Sequence, residues 1–157
     1  MEYTFFWVFA VVSILLLGST AIFKGINPAV WIIGIASIAY SLVYEIIFGE
    51  RLDLYYYITP RESTLFILLG ALFIYTPLNI IYTVFLPEKP KKILIYTVIW
   101  TAAMVILEFA SLYTRSIVLT GWKPIPWSIV TYAFTYLWIV LFYKYLQRFP
   151  RGFHSLE

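Results

Sequence analysis

Glu45 and Glu108 are the two acids of this chain that lie inside long apolar runs, Ala29 to Phe48 and Ile93 to Tyr113, while most other charges fall in the gaps between such runs. An ionisable side chain in that setting is expensive and marks a candidate functional position. A pair of carboxyls could bind a proton or cation, or serve as acid and base on a bound lipid or isoprenoid. Each acid also continues a polar stripe at helical spacing. Thr97, Thr101, Met104, Glu108, Ser111 and Arg115 follow one another at steps of three or four, as do Gly34, Ser37, Ser41 and Glu45, with Tyr44 alongside. Thr76, Asn79 and Thr83 form a third stripe; Ser128, Thr131 and Thr135, flanked by Tyr132 and Tyr136, form a fourth. Such residues also let membrane helices approach closely and hydrogen-bond, at about 0.6 kcal/mol per contact, so packing competes with function at each of them.

The elements that must position these side chains follow from composition. With 62% hydrophobic and 12% charged residues over 157 positions, and a mean hydropathy of +0.87, a soluble domain would lack polar surface. Spanning a bilayer core of about 30 Å takes roughly 20 apolar residues in a helix. Five stretches qualify, at about residues 3–23, 29–48, 64–86, 93–113 and 128–145. Continuous runs such as Val11 to Leu17 exclude the alternating pattern of a membrane β-barrel. The prediction is an all-α membrane protein, a bundle of five transmembrane helices forming a single domain over residues 1–157. The first span lacks a basic flank and reads as a retained helix rather than a cleaved leader. Lys and Arg number 4 on the N-terminal side (Arg51, Arg61, Arg115, Lys123) and 7 on the other (Lys24, Lys89, Lys91, Lys92, Lys144, Arg148, Arg151). The positive-inside rule then puts the N-terminus outside and the C-terminus in the cytoplasm of a cell-membrane protein.

In that topology the second and fourth helices run in the same direction, and both glutamates lie in their outer portions, roughly 5 Å and 8 Å from the ends of their spans. If the helices are neighbours, Glu45 and Glu108 share an outward-facing polar site with Tyr44, Asn79, Ser111, Tyr132 and Arg115. The competing reading has each carboxyl reach headgroup water, Glu45 being the shallower. Pro77 is expected to kink the third helix. The second connection, with Tyr55, Tyr56 and Tyr57 among Arg51, Asp53, Arg61 and Glu62, reads as an interfacial segment at headgroup level, and the fourth, with Trp122 and Trp127, as a headgroup-level turn.

Other chemistries are poorly served. The chain has no cysteine, and its single histidine, His154, lies in the polar tail, which leaves no haem ligand pair and no thiolate or imidazole metal site within the spans. No cofactor and no metal are expected. The terminal Leu156 and Glu157 could be a cloning remnant. Aromatic residues make up 21% of the chain, and interfacial belts with bundle packing account for most of them. The net charge of +3 is spread over both sides, which gives no nucleic-acid surface; Lys89, Lys91 and Lys92 suit anionic lipid. No aspartate-rich diphosphate motif is present, Asp53 standing alone.

Tyr75-Thr76-Pro77-Leu78, the Leu86-Pro87 turn, Tyr96, Trp100, Glu108, Gly121-Trp122 and Pro126-Trp127-Ser128 occur in an order that resembles a family of uncharacterised small multipass membrane proteins from spore-forming, Gram-positive bacteria. The likeness runs from Tyr75 to Arg148 and departs from the family's close at Tyr143-Lys144-Tyr145. It implies a cell-membrane protein with a link to sporulation and brings no established activity. Three function classes are therefore carried forward. The first is a non-enzymatic accessory or assembly component whose polar site binds a lipid or small ligand; small size, short connections and the lack of a nucleophile motif favour it. The second is a proton- or cation-coupled transporter or channel subunit, which with five helices would need to form a homo-oligomer. The third is an intramembrane lipid or isoprenoid enzyme. Expected partners are the bilayer, a lipid ligand or another membrane protein.

Overall fold

A computed structural model of the chain describes residues 1–148; Arg151, His154, Leu156 and Glu157, used above, lie outside the described residues. About 80% of it is helical. The elements are α1 (Glu2–Lys24), α2 (Pro28–Arg51), β1 (Tyr55–Tyr57), α3 (Ser63–Val84), α4 (Pro90–Tyr113), β2 (Ile117–Leu119) and α5 (Pro124–Arg148). Each of the five helices is long and apolar enough to cross a membrane. Their bounds match the expected spans closely, because Asn27-Pro28 and Lys89-Pro90 start helices where proline's missing N–H is harmless. Asn27 also caps α2, its side chain accepting from the Val30 N–H at 3.0 Å.

The polar stripes point inward. Gly34, Ser37, Ser41 and Glu45 are all buried, as are Thr97, Thr101, Met104, Glu108 and Ser111, whereas Val8, Leu15, Ile35, Val98, Ile106, Phe134 and Leu141 are exposed. This is the reverse of a water-soluble bundle, whose apolar faces meet in the core. α3 is the central helix, packed against α1, α2 and α5, with α4 against α5. From Thr76 to Thr83 every residue of α3 is buried. Gly34 sets the α2–α3 approach: a Cβ there would lie 2.7 Å from Ile80 Cδ1. Tyr82, fully buried, packs on Tyr96 and Tyr136 with ring centroids 5.0 Å and 4.4 Å away, and exchanges a 2.8 Å hydrogen bond with Thr97. Pro77 is accompanied by a wide π turn at Ala71–Tyr75 immediately before it, the local adjustment by which a helix accommodates a missing N–H.

The second and fourth connections meet in a pairing not expected from the sequence: β1 and β2 run antiparallel, Tyr55 opposite Leu119 and Tyr57 opposite Ile117. Beside the pair, the Leu54 carbonyl accepts from the N–H groups of Thr120, Gly121 and Trp122, each at 3.0 Å. Gly121 permits this clasp, since a Cβ would meet Leu54 Cδ2 at 3.1 Å. The small sheet caps the bundle at the end that carries the N-terminus of α1, where the Ser116 hydroxyl donates to the Glu2 carbonyl at 2.8 Å.

Candidate functional site

Glu45 sits six residues before the end of α2, whose last turn, Ile46–Arg51, is π-helical. Gly49 in that turn is buried against the Tyr55 ring, which a Cβ would approach to 3.3 Å. The chain then doubles back through Leu52–Leu54 into β1, and strand alternation turns Tyr55 and Tyr57 inward and leaves Tyr56 half-exposed. Tyr57 thereby donates a 3.0 Å hydrogen bond to Glu45 Oε1 and shares one of 2.6 Å with the Tyr75 hydroxyl of α3. Its own N–H is held by Ser63 Oγ at 3.2 Å.

Glu108 is held by a second chain of contacts. The Ser128 hydroxyl donates to Glu108 Oε1 at 2.7 Å and accepts from the Trp122 indole at 2.8 Å. Ser128 lies in the wide first turn of α5, Pro124–Ser128, where an extended Ile125 (φ −108°, ψ 120°) swings the chain off the sheet. Tyr132, one turn later, adjoins the Glu108 carboxyl.

The two acids meet in one cavity of about 90 Å³ beneath the sheet, within electrostatic reach of each other. Each surrounding element contributes: Tyr40, Ser41, Tyr44 and Glu45 from α2; Tyr75 and Asn79 from α3; Met104 and Glu108 from α4. Tyr55, Tyr57, Ile117 and Leu119 form the roof, and α5 with its approach supplies Trp122, Ser128, Thr131, Tyr132, Thr135 and Tyr136. The α2–α5 seam is stitched by Tyr44 with Thr131 at 3.0 Å and by Tyr40 with Thr135 at 3.2 Å. Along it the side chains are half-buried, whereas Glu45 and Glu108 are 6% and 8% exposed. Two polar atoms in this lining make no close hydrogen bond, Glu45 Oε2 and the Tyr55 hydroxyl, and they belong to side chains that interact with each other. Burial, reinforced by the neighbouring Glu45 charge, pushes the Tyr55 and Tyr57 phenols well above their ordinary pKa, so both remain protonated donors.

The structure thus brings Glu45, Glu108, Tyr44, Asn79 and Tyr132 together. It does not bring in Ser111 or Arg115. Ser111 donates to the Leu107 carbonyl at 2.9 Å and lines a smaller cavity of about 30 Å³ with Phe5, Phe9 and Ser116. Arg115 is exposed in the turn after α4, at φ +59°. The reason is helical phase: the stripe persists to Ser111, but α4 ends at Tyr113 and the following turn rotates the next side chain outward. Glu45 does not reach solvent as the competing reading required. Tyr55, Tyr57, Tyr75, Trp122 and Ser128 are cavity residues that sequence reasoning had placed elsewhere or passed over. The alternation in Tyr55-Tyr56-Tyr57 was a usable strand signal, obscured by the affinity of tyrosine for membrane interfaces. Among the described residues no group of three or more His, Cys, Asp or Glu is arranged to hold a metal ion.

Comparison with family models, with curated proteins and with solved structures returns no match.

Proposed function

We propose that the protein is a non-enzymatic component of the cell membrane whose five-helix bundle binds a lipid-like amphiphile, its polar end in the acid-bearing cavity. The apolar outward faces support membrane residence, as does the likeness of the Tyr75–Arg148 half to small multipass proteins of spore-forming bacteria. Of the described Lys and Arg residues, 4 fall on the N-terminal side and 6 on the other, which favours an outside N-terminus and an outward site. One observation carries the binding reading: Glu45 and Glu108, from different helices, open into a single cavity in which one oxygen of the buried Glu45 carboxyl makes no close hydrogen bond and has the Tyr55 side chain as its neighbour. Buried polar groups are normally satisfied, and one without a close hydrogen bond beside a cavity is an invitation to a ligand or water.

Native mass spectrometry of gently solubilised protein tests this. Wild type is expected to retain one amphiphile per chain, and Ser41→Leu, which fills the cavity from α2, is expected to lose it while keeping its helical circular dichroism. No retained molecule in wild type, or equal retention in both, overturns the reading.

A second reading, a proton- or cation-conducting subunit, is favoured by the Glu45–Tyr57–Tyr75 hydroxyl chain, because both tyrosines also line the smaller cavity. It requires that Tyr57→Phe abolish proton flux in liposomes; flux equal to wild type removes it.

A further inference from the structure

We infer that the cavity recognises an ammonium group, so that its ligand is an alkylamine or an amine-headed amphiphile. This rests on the amphiphile-binding reading and narrows it to one head-group charge. Among the described residues the cavity is lined by two carboxyl groups and by no Lys, Arg or His. Two carboxylates buried without a basic partner are unfavourable, and an ammonium group beside them supplies the missing counter-charge and hydrogen-bond donors. Glu45 Oε2, on a cavity-lining residue more than nine-tenths buried, is an acceptor with no close hydrogen bond, its neighbour being the Tyr55 side chain. An N–H⁺ donor completes it, and the Tyr55 hydroxyl, which interacts with the Glu45 carboxyl, is a further hydrogen-bonding group beside it.

The rest of the lining suits the same head. Seven tyrosines and Trp122 border the cavity, and aromatic faces attract ammonium groups most strongly where water is excluded. A volume of about 90 Å³ corresponds to roughly six to nine water-sized sites, room for a small head and the first carbons of a tail. An anionic head would face two acids with no basic side chain beside them. A neutral alcohol would offer one donor and leave the acid pair uncompensated. A divalent ion would need six or more oxygen ligands, and the aromatic walls compete poorly for that role.

Three probes with one tail and different heads, hexylammonium, 1-hexanol and hexanoate, separate the possibilities in thermal melts of the full chain in detergent. At ten times its dissociation constant hexylammonium is expected to raise the melting temperature by about 3–5 °C. Hexanoate should give no increase, 1-hexanol a smaller one, and Glu45→Gln should abolish the hexylammonium shift. Glu108→Gln provides the same comparison should Glu45→Gln not fold. Equal shifts from hexylammonium and 1-hexanol, or a hexylammonium shift unchanged in the Gln variants, overturn the ammonium assignment and leave amphiphile binding standing. No shift from any probe, together with no retained amphiphile in the mass spectrum, overturns both.

Discussion

Removing the Ser128 hydroxyl is the sharpest perturbation of the site. That one oxygen donates to Glu108 at 2.7 Å and accepts from the Trp122 indole at 2.8 Å, and Ser128 is only 2% exposed. Ser128→Ala leaves the backbone and the cavity shape nearly unchanged but strips a donor from a buried carboxyl and an acceptor from a half-buried indole. A typical hydrogen bond contributes about 0.5–1.5 kcal/mol net, and a buried group left without its partner costs about 1–3 kcal/mol. The Glu108 bond belongs at the upper end and the Trp122 bond at the lower, so the substitution is expected to cost about 2–3 kcal/mol. For a chain of this size that is a fall of about 5–10 °C in melting temperature, read by circular dichroism in one detergent. A double-mutant cycle with Glu108→Gln assigns the loss: residues in contact couple by about 0.5–3 kcal/mol, independent ones add within about 0.5 kcal/mol. A fall of less than about 1 °C, or strict additivity with Glu108→Gln, would refute the claim that Ser128 holds the Glu108 carboxyl.

Other consequences are equally concrete. Tyr57→Phe removes the donor to Glu45 Oε1 and the link to Tyr75, and should cost about 1–3 kcal/mol in thermal melts; a neutral result means that the Glu45 carboxyl is satisfied some other way. Gly34→Ala gains about 1 kcal/mol of helix propensity but puts a Cβ 2.7 Å from Ile80 Cδ1, an overpacking cost of about 1–3 kcal/mol. It should therefore destabilise wild type, yet be neutral or stabilising in an Ile80→Ala background, where Cδ1 and the Cγ1 that the Cβ would meet at 3.0 Å are both gone. The Tyr55 and Tyr57 phenols are raised above their ordinary pKa by burial. An unfolded chain loses these protons near pH ~10 while the folded one keeps them, so their contribution is fully present below about pH 10 and is lost as pH rises further. Tyrosinate absorbance should lag in folded protein and rise with the loss of helical dichroism; full ionisation with the helices intact would contradict the burial.

Helix number, approximate bounds and the inward stripes were legible because they depend on local quantities. Roughly 20 apolar residues are needed for a span whatever surrounds them, and the spacing of Ser37, Ser41 and Glu45, or of Thr101, Met104 and Glu108, puts each set on one face by helix geometry alone. The pairing of Glu45 with Glu108 was legible only as a condition, since shared depth followed from chain direction but adjacency did not. Arg115 shows where extrapolation fails: the three-and-four spacing continued past Tyr113, but the helix did not.

Sequence alone therefore determined a five-helix apolar chain with two acids at matching depth and no cysteine, histidine or aspartate cluster to accompany them. Tertiary structure decided that the acids share a cavity, that Tyr55 and Tyr57 roof it and that Ser128 and Trp122 secure Glu108. Those contacts join residues distant along the chain, through a two-strand pairing of three residues each and a threefold clasp on the Leu54 carbonyl. Pairings that short carry too little periodic signal to read from one segment; they exist because the helices on either side bring the two connections to the same end of the bundle.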